Sequence, residues 1–200
     1  MLDSTLVNPD DSKTGRNAAR LLADALNPFS VFTALYALVA FSEANPARAA
    51  LCVAVELAAA SLVALYVFAL RRGRRVGDFW LSARSERLVP ALFVLSAFAG
   101  LLITLYLLGA PETLSQVTLS MGLAAASVAT LTLFWKASAH AAVAGHAAAA
   151  GLLVLGPIGL VFALVLPVVL WARVASRAHT LPQVLAGAAV GAAFVFLFLT

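Results

Sequence analysis

Residues 88–109 read LVPALFVLSAFAGLLITLYLLG, a run of 22 residues without one charge. At about 1.5 Å per residue a helix of that length crosses the ~30 Å hydrocarbon core of a bilayer. Six more apolar runs flank it, at 28–42, 46–70, 112–134, 138–155, 157–172 and 182–199. The first of these, together with 138–155 and 157–172, is short for a full crossing. Pro28, Pro46, Pro90, Pro111, Pro157 and Pro182 stand at or near the start of six runs. There the missing N–H of proline has no intrahelical partner to lose. Pro167 falls inside its run and predicts a kink. No strand-like alternation or internal repeat appears, which leaves helices as the spanning element. The expected fold is all-α, a polytopic transmembrane helical bundle of about six to seven spans over 28–200, preceded by a polar leader and amphipathic surface helix over 1–27.

Composition agrees with that reading. Of 200 residues 63% are hydrophobic and 11% charged, against roughly 45–50% and 25% in soluble domains, and the mean hydropathy is +1.00. This balance excludes a soluble globular enzyme, a disordered tail and a disulfide scaffold. Cys52 is the single cysteine, so no internal disulfide forms. The net charge of +4 is clustered rather than spread over a soluble face, which argues against a nucleic-acid partner. The N-terminal stretch carries three Asp before its first Lys, unlike a cleaved signal peptide, and the mature chain is expected to start there. Between Ser12 and Leu26, Ala19, Leu21, Leu22, Ala25 and Leu26 recur at helical spacing beside Lys13, Arg16 and Arg20. That pattern suits a helix on the membrane surface or a solvated leader helix.

Placed on the zigzag of spans, twelve of the thirteen basic residues fall at the N-terminal side and Arg48 alone at the other. Basic residues concentrate in cytoplasmic loops. The expected topology is therefore N-terminus inside and C-terminus outside. Beyond Leu88 only Glu112, Lys136, Arg173 and Arg177 are charged, and the same stretch holds all three histidines, His140, His146 and His179. The segments 78–90, 136–140 and 173–183 are each separated by two crossings and emerge on one side. Guanidiniums and an ammonium gathered there make a site for phosphate oxygens. Ser138 opens a helix whose free N–H groups favour the same anion. Two histidines add a nucleophile and a general acid near neutral pH. The combination points to phosphoryl transfer.

These residues resemble the membrane-bound type 2 phosphatidic acid phosphatases, or lipid phosphate phosphatases, whose motifs are written KxxxxxxRP, PSGH and SRxxxxxHxxxD. Arg173, His179 and Gln183 reproduce the spacing of the third motif, with Gln in place of Asp, and Ser138-Ala139-His140 is similar to the core of the second. In the first, Arg87 matches the Arg, while Trp80 and Leu88 stand at the Lys and Pro positions; Arg84 and Lys136 are candidates to compensate. The resemblance covers about half of the chain, roughly 78–190. It implies a metal-independent hydrolase without cofactor, acting on a lipid phosphate or diphosphate held in the bilayer, of isoprenoid or phosphatidate type. It implies that His179 forms a phosphohistidine, that His140 protonates the leaving lipid oxygen, and that Arg87, Ser138 and Arg173 hold the phosphate, with Arg84 and Lys136 beside them.

Other roles stay open for several of these residues. Thr180-Leu181-Pro182-Gln183 is also a capping-box pattern, so Gln183 either orients His179, caps the last helix, or does both. Arg177 reads as a membrane anchor, His146 as a hydrogen-bonded bundle histidine, and Glu56 as the one acid deep in a span, either functional or paired with a bundle hydroxyl. Asp78 either orients an arginine or caps its segment. A catalytically inactive phosphatase-like protein and a small lipid-binding or transport protein are the alternative functions. The spans after Leu88 contain no Asp, which argues against transferases that bind a Mg²⁺-diphosphate through Asp-rich motifs.

Overall fold

Asn27-Pro28 and Asn45-Pro46 show how the helices are punctuated. The Asn27 side-chain oxygen accepts the Ser30 N–H at 3.0 Å and that of Asn45 accepts the Arg48 N–H at 3.0 Å. Each Asn caps a helix whose first turn is set by the following proline. The structure, a computed structural model, describes residues 9–77, 86 and 88–200, with side chains from residue 15 onward. Its helices are α1 (Pro9–Ala25), α2 (Pro28–Glu43), α3 (Pro46–Arg72), α4 (Leu88–Leu107), α5 (Glu112–Thr132), α6 (Ala139–Leu155), α7 (Leu160–Ala175) and α8 (Leu181–Phe198). Each of the seven expected apolar runs holds one helix, and no strand occurs among the described residues. The fold is an all-α bundle.

Helices α3, α4, α5 and α8 are each long and apolar enough to cross a membrane. The 37-residue apolar stretch Ala139–Ala175, which includes His140, His146 and Arg173, is not one straight rod, because the chain reverses at Gly156, whose φ of +56° is left-handed. Gly151 and Gly159 meet backbone to backbone across that turn, so α6 and α7 form an antiparallel hairpin. Pro157 sits in the Gly156–Gly159 3-10 turn rather than opening α7, which shifts that helix three residues later than its sequence run. Helices α1 and α2 reach the length of a crossing together, bent by 43°. Helix α1 packs on α7 and buries Ala19 and Ala23 while Leu21 stays 70% exposed. Leu62, Leu65, Ile103 and Leu107 are all at least 60% exposed on the outside of the bundle. Such an apolar exterior is a liability in water and the natural surface in lipid. This is a multi-pass membrane protein.

Arg48 explains itself once the ends of α3 and α4 are seen together. Its guanidinium donates to the Leu108 carbonyl at 2.8 Å and to that of Gly109, closing the C-terminus of α4, where Gly109 turns the chain at φ +58°. Helices α6 and α8 approach most closely, because Gly145, Gly187 and Gly191 remove the side chains between them. A Cβ at Gly187 would lie 2.5 Å from the Ser138 carbonyl oxygen, and one at Gly191 would strike that of Ala142. The Gly187/Gly191 spacing is the GxxxG pattern that lets membrane helices touch along their backbones.

Candidate functional site

The last turn of α7 sets the site. The Arg177 N–H donates to the Val174 carbonyl at 2.9 Å, and the Arg173 carbonyl accepts the N–H groups of Ala178 at 3.1 Å and His179 at 3.2 Å. Arg177 occupies the left-handed position at φ +58°. This is a Schellman termination with arginine in the place usually taken by glycine. It folds the chain back so that His179 stands beside the end of the helix that carries Arg173. The six-residue separation of these two residues is the length of that turn.

Opposite them, α6 begins. Ser138 is its N-cap, its Oγ accepting the Ala141 N–H at 3.4 Å, and His140 lies in the first turn. The Ser138 N–H reaches the Gln183 carbonyl at 3.4 Å. His140, Arg173 and His179 line one cavity of about 760 Å³, within the ~300–1,000 Å³ range of small-molecule sites. Both imidazoles are more than nine-tenths buried, and Arg173 is half-buried. The rest of the wall comes from α2, α3, α4, α5 and the first turns of α6 and is almost wholly apolar, with Phe32, Val63, Val94 and Val128 representative. One guanidinium and two imidazoles therefore face the same space as a hydrocarbon-like wall. That arrangement suits an anion attached to an apolar chain, and either imidazole can exchange a proton there.

The remaining sequence candidates take other positions. Lys136 is half-exposed between α5 and α6 and is not among the cavity's wall residues. Ser138 is fully buried beneath the site, its Oγ directed to the cap. Gln183 Oε1 accepts the Thr180 N–H at 3.1 Å and completes the capping box of α8, so its acceptor is aimed at Thr180 rather than at His179. Arg84 and Arg87, with Asp78 and Trp80, lie outside the described residues. Arg177 is exposed and serves the turn. His146 is fully buried, with Nε2 2.8 Å from Ser120 Oγ. That hydroxyl also lies 3.1 Å from the Val117 carbonyl, making His146 a hydrogen-bonded histidine of the bundle.

Glu56 is the residue whose place the sequence left undecided. It is 3% exposed, and the Thr33 hydroxyl lies 2.9 Å from its Oε1 and 3.1 Å from its Oε2. It lines the same cavity as the two histidines. The signal was an acid in the middle of a span; what the sequence lacked was the knowledge that this face of α3 opens on the cavity. Compared with known proteins, the chain matches no family model, no curated protein and no solved structure.

Proposed function

We propose that the protein is a membrane-integrated lipid phosphate phosphatase, hydrolysing a lipid phosphate or diphosphate through a phosphohistidine. The observation that carries this reading is the convergence of His140, Arg173 and His179 on one cavity with an apolar wall. In this scheme Arg173 and the amides opening α6 hold the phosphoryl oxygens. A ring nitrogen of His179 attacks phosphorus, the bond from phosphorus to the lipid-side oxygen breaks, and His140 gives that oxygen its proton. Water then adds to phosphorus and loses its proton to His140, and the P–N bond breaks to free inorganic phosphate and regenerate His179. Arg84 and Arg87 complete the anion site in this proposal, and Lys136, off the cavity wall, adds positive charge near it. The resemblance to the type 2 phosphatidic acid phosphatases supports the same assignment, with isoprenoid (di)phosphates and phosphatidate as substrate classes. The charge asymmetry supports a site on the cytoplasmic side with Thr200 outside.

The test is inorganic phosphate release by the purified chain from a panel of isoprenoid mono- and diphosphates and phosphatidate. Release from at least one member is expected; release from none overturns the proposal. One observation favours a second reading. Gln183 stands where the family's third motif has the carboxylate directed at its nucleophile, and its Oε1 engages Thr180. A chain that binds these lipids but turns none over would be the phosphatase-like binding protein that this reading describes.

A further inference from the structure

The depth of the cavity is set by residues that the proposed chemistry does not use. Its wall on α3 runs from Val67 to Glu56 and on α4 from Leu88 to Leu101, and it extends no further along either helix. Eleven and thirteen residues separate these pairs, which at the rise of a helix is about 16–20 Å. That depth is close to one leaflet of a ~30 Å hydrocarbon core. At the far end the deepest wall residues of α2, α3, α4 and α5 are Phe32, Glu56, Leu101 and Met121. Glu56 is the only acid among the wall residues described, and Thr33 bonds it from the side.

We infer that Glu56 is the floor of a chain-length ruler: the cavity draws the hydrocarbon chain of the lipid phosphate into the protein and ends it at the Glu56 carboxyl. This rests on the proposed function for the identity of the headgroup. A chain that stops short of Glu56 gains apolar contact along Val63, Val94 and Val128 and leaves the Thr33–Glu56 pair intact. A chain long enough to reach the floor sets its last methylenes against a polar carboxyl already bonded to Thr33, a contact that returns no apolar gain. Methylenes therefore strengthen binding up to the depth of the cavity and then cease to. The sides of the cavity are kept open by small residues, Ala60 of α3 and Ala125 of α5 among them, so a larger side chain there raises the floor.

The experiment is calorimetric titration of the full-length protein in nanodiscs with non-hydrolysable n-alkylphosphonates from octyl to eicosyl, run beside phosphate release from the matching alkyl phosphates. Wild type is expected to gain affinity by up to about fourfold per buried methylene and to stop gaining at a chain of leaflet length. Glu56→Ala moves that limit to longer chains. Ala125→Leu moves it to shorter ones while octylphosphonate binds as before, and it leaves the buried carboxyl untouched, so it keeps the ruler testable if the Glu56 variant does not fold. A limit that stays in place in the folded variants, or no limit in wild type, overturns the inference. Phosphonates that obey the limit without any phosphate release sink the catalytic reading alone, and phosphate release indifferent to chain length sinks the ruler alone.

Discussion

The backbone N–H of Ser138 donates to the carbonyl of Gln183 at 3.4 Å, joining the cap of α6 to the first turn of α8. The bond is long and by itself weak. What keeps its two ends together is the backbone contact below it, where Gly187 and Gly191 lie against the carbonyls of Ser138 and Ala142. The two histidine-bearing segments are thus held by glycines rather than by polar contacts, and the consequences can be measured.

Replacing Gly187 or Gly191 with Leu forces α8 away from α6. A loss of at least about 1–3 kcal/mol is expected, read as a lower thermal midpoint in detergent, with phosphate release lost in step. Gly100→Ala is the control, since nothing lies within 4 Å of the position its Cβ would take; it should hold or slightly raise the midpoint. An unchanged midpoint in Gly191→Leu would contradict the packing.

Arg177 holds a left-handed conformation at φ +58° that disfavours an L-residue by roughly 1–2 kcal/mol. Arg177→Gly relieves this and gives back about half through the freer unfolded chain. The expected result is a net gain of roughly 0.5–1 kcal/mol in chemical or thermal unfolding, with phosphate release retained. Loss of turnover in a folded Arg177→Gly protein would move Arg177 from the turn into the anion site.

Arg48 closes α4 through two carbonyls. Arg48→Ala should destabilise by about 1–2 kcal/mol, in the range of exposed charge-assisted hydrogen bonds, without changing phosphate release per folded molecule. An equal effect on turnover would mean that this end of the bundle communicates with the site.

Sidedness is tested by reporters that are active only outside the cell. Fusions at Ala110 and after Thr200 should be active and a fusion after Arg177 silent. A silent fusion after Thr200 would reverse the topology.

Much of the fold was legible because the bilayer imposes it. A long apolar run in the bilayer forms a helix, and prolines stand at or near the start of six of the seven runs. Two features escaped. The packing of α1 on α7, with Ala19 and Ala23 buried, is a contact between elements far apart in sequence, whereas the local pattern around Arg16 and Arg20 signalled only an amphipathic helix. The start of α7 moved past Pro157 because Gly156 accepts the left-handed turn of the hairpin. At the site, Arg173, His140 and His179 could be read from spacing, since a Schellman turn and a helix cap are local devices. The bundle hydroxyl expected as one alternative for Glu56 is that of Thr33, but its place on the cavity could not be read, because that depends on which face of α3 the other helices leave open. Gln183 was readable in two ways, and its oxygen points to Thr180. The GxxxG pair at 187 and 191 was in plain view as a packing signal and is what sets the separation of α6 and α8.

In the proposed function His179 carries the phosphoryl group. The most direct measurement is phosphate release by wild type and by His179→Ala at matched thermal midpoint, on the best substrate of the lipid panel, with Glu112→Ala as a distant control. Turnover is expected in wild type and in Glu112→Ala, and none above background in His179→Ala. Full activity in a folded His179→Ala protein would contradict it.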